Sequence, residues 1–508
     1  MHATAPERST ATDRHPPPRY SGVLAHPTSF PGGHGIGDLG AGTTAFMEWL
    51  AEARQTRWQV LPLGPTGFGD SPYQSFSAFA GNPLLVSLDS LVEDGLLGPH
   101  DLEGAQFPVE HVDFGAVIPW KLERLRRAAA RLRSGAAPAL YDALRVWSDE
   151  HAAWLDDYAL FMALKAAHGG ASWLEWEPAL RLREPQALAA ARERLADEID
   201  AQRFMQFAFS RQWRIVRERA NELGLQIIGD VPIFVALDSA DVWANRALFQ
   251  LDADGHPTAV AGVPPDYFSA TGQLWGNPLY DWDALAADGY RWWIARLRAV
   301  FELVDIARVD HFRGFEAYWS VPAGERTAVN GAWQPGPGVG VFDAITAALP
   351  RSEIIAEDLG VITPAVDALR RELGFPGMAV LQFAFGSGPE NLYLPHNLEH
   401  RTVIYTGTHD NDTTLGWWAT LDDATRQHVT TYLRSDGSDI AWDLLYAAWS
   451  SVAETAIAPL QDILRLGGEA RMNLPGRAWG NWAWRMHPNA LQPDLAAALA
   501  DMTGLYGR

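Results

Sequence analysis

The sequence contains no cysteine, which excludes disulfides and thiol catalysis and suits a reducing cytosol. Basic residues are in short supply: 40 Lys and Arg stand against 62 Asp and Glu, a formal net charge of −22 at pH 7. A surface of that sign repels nucleic acid and anionic membranes, so neither is expected as a partner, and it fits a neutral substrate without identifying one. There is no apolar run of the roughly 18 residues needed for a transmembrane helix. The first 19 residues, MHATAPERSTATDRHPPPR, are polar and proline-rich, without the apolar centre of a signal peptide. They read as a disordered tail on a cytoplasmic protein. No internal repeat is evident.

What is present describes a globular protein with ample core: 47% hydrophobic and 20% charged residues. Length alone would suggest about three domains, but barrels with insertions run past about 400 residues as one unit. The 22 tryptophans are many. Sugar-binding proteins stack such rings on pyranose faces, and core filling accounts for most of them.

Strand-like segments occur at 21–26 (SGVLAH), 57–62 (RWQVLP), 226–231 (QIIGDV), 303–309, 353–357 (EIIAE), 378–382 (MAVLQ), 402–407 (TVIYTG) and 470–474 (ARMNL). Helical periodicity marks 42–54, 119–133, 139–166 and 187–223. Strands alternating with helices, with polar residues just after the strands, predict a (β/α)8 barrel over 20–508. It is interrupted by a largely helical insertion at about 84–205 and an irregular active-site loop insertion at about 236–283. Gly35-Ile36-Gly37-Asp38-Leu39-Gly40 matches a dinucleotide fingerprint by letter, but neither the preceding strand nor the later acidic residue is in place, so it reads as a turn.

The chemistry gathers at strand ends. Ile306–Phe315 (IARVDHFRGF) places Arg308, Asp310, His311 and Arg313 where a strand stops. Taken alone, this stretch fits a structural ion-pair network as well as an active site. Further carboxylates end other strands: Asp230, Glu357 with Asp358, and Asp410 with Asp412 beside His409. In a barrel all these ends open on one face. Either a hard-metal site or a glycosidic acid/base site could result. A metal requires several oxygen ligands with few cations nearby, whereas Arg308, two residues before Asp310 on the same side of its strand, suits an ionised aspartate better. The His396/His400 pair lacks the rest of a zinc motif, and Asp252–Gly255 lacks the remaining ligands of a calcium loop.

Eight motifs in order carry a family likeness: SGVLAHPTSFPGGHGIGDLG, SPYQSFSAFAGNPLLV, GDVPIFVALDSADVWAN, GVPPDYFSATGQLWGNPLYDW, ARVDHFRGF, IIAEDLG, TGTHDNDTTLGW and MNLPGRAWGNWAWR. From Tyr20 to Arg485 the chain resembles the 4-α-glucanotransferases of the amylomaltase (disproportionating enzyme) type, glycoside hydrolase family 77, relatives of the α-amylase superfamily. His34, where an aromatic residue is more usual, and the extended tail depart from the pattern without touching the carboxylates. The resemblance implies Asp310 as nucleophile, Glu357 as general acid/base and Asp410 as transition-state stabiliser. It implies transfer of glucan segments from maltooligosaccharides or starch-like polymers to the 4-hydroxyl of glucose or another glucan, with neither metal nor organic cofactor expected.

The physical logic agrees: a retaining mechanism needs one carboxylate ionised and one carboxyl protonated, about 5–5.5 Å apart. Arg308 should keep Asp310 ionised, while burial and neighbouring carboxylates raise Glu357. His409 and Asp410 would bind ring hydroxyls. Tyr73 resembles a platform under the donor sugar, Asp230 an orienting or hydroxyl-binding group, and His311 and Arg313 supports. Tyr267, Phe268, Trp275 and Asn277 lie in the segment 263–280 expected to cover the acceptor side. Asn473 and the following NWAWR read as the last strand and barrel wall, with Trp482 and Trp484 packing there. The rival readings are an amylase-type hydrolase, a glucan-binding protein on an inactive barrel, and a divalent-metal hydrolase.

Overall fold

The structure, a computed structural model, describes residues 17–32, 34–265 and 269–508. Residues 1–16 of the expected tail, together with Tyr267 and Phe268, lie outside the described residues.

Eight short strands form the central sheet: β1 (Tyr20–Leu24), β2 (Arg57–Gln59), β3 (Gln226–Pro232), β4 (Ile306–Asp310), β5 (Glu353–Ala356), β6 (Gly377–Val380), β7 (Thr402–Tyr405) and β8 (Thr455–Pro459). Each is parallel to its neighbours, in the order β6-β7-β8-β1-β2-β3-β4-β5. The remaining seam, between β5 and β6, is bridged where the Ala356 N–H donates to the Pro376 carbonyl (3.0 Å). The Asp358 carboxylate reinforces it by accepting the Met378 N–H (2.7 Å). A β-carbon at Gly377 would overlap that carboxylate, so the strand starts on glycine. With this seam bridged, the sheet forms the nearly closed (β/α)8 barrel that the strand–helix alternation predicts.

Seven of the predicted strands are present; the eighth is not where expected. Residues 470–474 form no strand, and Thr455–Pro459 (TAIAP) takes that place between β7 and β1. Its two alanines have little strand propensity, and it follows the apolar helix Ile440–Ser450, so its pattern merges with the helix. What makes it a strand is burial of all five residues.

Alternation along the strands fills the lumen. Leu24, Ile228, Ile306, Ile355, Met378, Val380, Val403, Tyr405 and Ile457 form one buried cluster drawn from seven strands. Two residues after Ile228 comes Asp230. Two and four residues after Ile306 come Arg308 and Asp310. The period-2 geometry therefore stacks a charged layer directly above the apolar one.

Between β2 and β3 the chain is mainly helical, including Phe114–Arg133, Pro138–Glu150, Ala152–Ala167 and Pro185–Arg194 before the long helix Ala196–Glu222. The helix expected at 187–223 is thus two, divided at Leu195. The stretch expected to be irregular at 236–283 is partly ordered as sheet. Gln273–Pro278, Ala259–Val263, Ala317–Pro322 and Ala332–Pro335 form an antiparallel sheet in that order. Many tryptophans are core: Trp58, Trp173, Trp213, Trp243, Trp293 and Trp449 are among the largest fully buried side chains. Among the described residues no helix is long and apolar enough to cross a membrane.

Candidate active site

Asp230 and Arg308 face each other across the β3–β4 ladder. Arg308 Nη1 donates to both oxygens of Asp230 (2.7 and 2.6 Å), and its Nη2 lies 3.0 Å from Asp310 Oδ1. The Tyr73 hydroxyl donates to Asp230 Oδ2 (2.8 Å). Asp230 is sealed from solvent, whereas the Asp310 side chain keeps 30% exposure. The pair therefore has a structural end and an open end.

Val309 and Ala356 are partners in the β4–β5 ladder, so Asp310 and Glu357 are the next residues on adjoining strands. His311 takes a left-handed conformation (φ 51°). This local strain aims two successive N–H groups at Glu357: His311 N–H donates to Oε2 (2.7 Å) and Phe312 N–H to the Glu357 carbonyl (3.0 Å). Oε1 accepts from the Leu359 N–H (2.9 Å).

The two carboxyls differ in proton affinity. Burial pushes Asp310 up to about 6, with Arg308 and His409 pulling it back and Asp230 and Asp410 adding to the rise. Burial pushes Glu357 further, to about 8, with Asp310 adding to the rise and Arg308 and the two backbone N–H groups opposing it. Arg308 pulls Asp310 down without bringing it back to the ordinary carboxylate range. One guanidinium serves two carboxylates, and Asp230 engages it with both oxygens, so desolvation of Asp310 wins. The order of the pair still leaves Asp310 ionised and Glu357 protonated near neutrality. Burial also lowers His311 to about 3, with Arg313 contributing, so this imidazole is neutral.

The loop after β7 brings a third carboxylate to this face. Asp410 is half-exposed and accepts from Asn473 Nδ2 (2.6 Å), with His409 Nε2 3.4 Å away. Arg471 Nη2 donates to the Asp410 carbonyl (2.7 Å). The reading of Asn473 as a strand residue is thereby replaced by a contact with the predicted stabiliser. His409 is buried, and its ring stacks on Tyr73 at 5.0 Å. Trp482 lies 5.6 Å from Tyr73 and 5.9 Å from His409. It packs as expected, but its packing supports the site.

Trp275 stands edge-on to His311 (centroids 4.8 Å apart, 83° between planes). Asn277 is turned inward, its amide donating to the Val235 carbonyl (2.9 Å) with Gln74 at 3.5 Å from its oxygen. It supports the wall beneath Trp275. Arg313 bonds the Val361 carbonyl and lies 3.8 Å over the Trp333 ring. Sequence reasoning missed the roles of Asn473 and Trp482 in the site, although both lie in the MNLPGRAWGNWAWR motif. It also missed Trp333, which no motif marks. Among the described residues, no group of three or more His, Asp or Glu converges as a metal-holding cluster.

A family model described as 4-alpha-glucanotransferase matches residues 25–492. The 4-alpha-glucanotransferase of Thermus thermophilus is 51% identical over 493 residues, covering 96% of this chain and 98% of that protein. That of Synechocystis is 52% identical over 495 residues, with the same coverage. An amylomaltase from Streptococcus agalactiae, solved in complex with acarbose, matches with a TM-score of 0.93 and 39% identity over 96% of this chain and 99% of that one.

Proposed function

The chain belongs to the 4-alpha-glucanotransferase family and has 4-alpha-glucanotransferase activity, and on that premise we propose a retaining double displacement carried by Asp310 and Glu357. The ionised Asp310 attacks the anomeric carbon of the donor glucan. As the glycosidic C–O bond breaks, its electron pair stays on the leaving oxygen, which takes the proton of Glu357. The product is a covalent glycosyl–Asp310 ester. Esterification removes the negative charge that helps hold the Glu357 proton, so Glu357 becomes the base for the second step. It withdraws the proton of an incoming 4-hydroxyl, whose oxygen displaces Asp310 from the anomeric carbon. Asp410, with His409, binds ring hydroxyls as the sugar flattens.

The observation that carries this reading is the ordering of the two carboxyls on adjoining strands, Asp310 up to about 6 and Glu357 up to about 8. The donors are maltooligosaccharides and starch-like glucans, and glucose is the simplest acceptor. Trp275 lines the acceptor approach, where a bound sugar excludes water and favours transfer over hydrolysis.

Maltotriose alone should yield glucose and a ladder of longer maltooligosaccharides with little gain in reducing ends, and Asp310→Ala should abolish the ladder. Mass spectrometry of protein quenched during turnover of an activated maltosyl fluoride should locate the sugar on the peptide bearing Asp310. A glycosyl group elsewhere, or an inverted product, would overturn the mechanism. Rising reducing ends without longer products would make the chain a hydrolase.

A further inference from the structure

We propose that Asp462 is a positioning residue for glucan transfer, acting through Asp410 by clamping both ends of the loop that bears it. The inference rests on the role assigned to Asp410 above. Asp462 sits in the short helix Leu460–Ile463 that directly follows β8 and is 1% exposed. Its carboxylate takes three hydrogen bonds from the far side of the β7–β8 boundary. Oδ2 accepts from the Thr406 hydroxyl (2.6 Å) and the Thr414 hydroxyl (2.8 Å), and Oδ1 accepts from the Thr414 N–H (2.7 Å). Thr406 is the first residue beyond β7, and Thr414 opens the helix Thr414–Thr420. One buried side chain therefore fixes the exit and the re-entry of the loop carrying His409 and Asp410.

The interior of that loop is tied separately. Asn411 Oδ1 accepts from the Thr408 N–H (2.9 Å) and hydroxyl (2.8 Å), and from outside the loop Gln382, just after β6, donates to the Asp412 carbonyl (2.9 Å). The loop is thus stiff within, and Asp462 ties its two ends to each other, so losing that tie changes the span across which the loop is held. Asp410 itself is half-exposed: its carboxylate meets Asn473 and His409, its carbonyl accepts from Arg471 and its N–H donates to the Thr408 hydroxyl, so the segment 471–473 fixes the tip of the loop while Asp462 fixes its ends. Stability alone does not account for a carboxylate here. Burying one without a cation costs more than burying an aliphatic side chain. What the carboxylate supplies is two oxygens that set the span between Thr406 and Thr414.

The test is a double-mutant cycle on turnover of maltosyl fluoride with maltose as acceptor, with thermal unfolding in parallel. Asp462→Ala should lower kcat by about 100-fold, the loss produced by about 1 Å of misplacement, with KM little changed. Asp462→Asn keeps an acceptor for the Thr414 N–H and lets both hydroxyls turn to accept from its amide, so it should stay within about fivefold of the parent. In an Asp410→Asn background, Asp462→Ala should lower the residual kcat by less than about threefold. Equal losses in both backgrounds, or a lowered Tm with kcat intact, would overturn the proposal while leaving the role of Asp410 standing. Undiminished activity of Asp410→Asn alone would remove the premise and the proposal together. If Asp462→Ala does not fold, Thr406→Val and Thr414→Val each remove one hydroxyl donor and carry the same cycle. Each should lose several-fold in kcat only when Asp410 is present.

Discussion

Asp230→Asn tests the electrostatics of the site most directly. Asp230 and Asp310 hold different terminal nitrogens of one guanidinium, at 2.6 and 3.0 Å. At an effective dielectric constant of about 20, two like charges on the order of 6 Å apart repel by about 3 kcal/mol, equivalent to about two pH units on Asp310. Asparagine removes the charge and leaves one oxygen, in the place of Oδ2, to accept from both Arg308 and the Tyr73 hydroxyl. The charge of Arg308 is then no longer divided between two carboxylates, and the Asp310 carboxyl falls from about 6 toward the ordinary carboxylate range. The acid limb of kcat/KM for maltotriose disproportionation should therefore move down by about one to two pH units. The alkaline limb, governed by Glu357, should stay in place, because Asp230 is not among the groups that dominate its shift. An acid limb that does not move, or moves upward, would refute the picture of one arginine shared between two carboxylates.

Two other outcomes follow from the same geometry. Glu357 is raised from 4.5 to about 8, so the stability tied to its bound proton is complete below about 4.5 and is lost as pH rises through about 8. Glutamine has no proton to lose, and the Tm advantage of Glu357→Gln over the parent should widen by about 2–4 °C from mildly acidic to alkaline pH; a constant difference would contradict the raised carboxyl. Trp275→Ala removes the ring that stands against His311 and should raise KM for glucose as acceptor about fivefold at saturating donor, with kcat nearly intact. A fall in kcat without a change in KM would make Trp275 a prop for His311 and not an acceptor contact.

The eighth strand shows one limit of reading the chain by pattern. TAIAP is too small and too alanine-rich to announce a strand, and only complete burial between β7 and β1 makes it one. The hairpin strands Ala259–Val263 and Gln273–Pro278 were hidden for a related reason. Gln273–Pro278 pairs only with Ala259–Val263, and Ala259–Val263 in turn needs Ala317–Pro322, far along the chain; a strand paired at long range leaves little local trace. Asn473 was misread because MNL has an apolar rhythm, while its amide is used in a contact with Asp410 that no spacing reveals.

The sequence by itself determined the barrel class and the carboxylates at its strand ends. Period-2 alternation and strand-end placement are local properties, and they put Asp230, Asp310, Glu357 and Asp410 on one face before any coordinate is known. It also determined the family, through motifs spread over the whole chain. Tertiary structure alone decided which carboxyl keeps its proton. That depends on burial and on how one guanidinium divides itself between Asp230 and Asp310, and both are sums over groups distant in sequence. It alone brought Asp462 under the loop of Asp410, because a buried carboxylate finds its donors across strands and not along them.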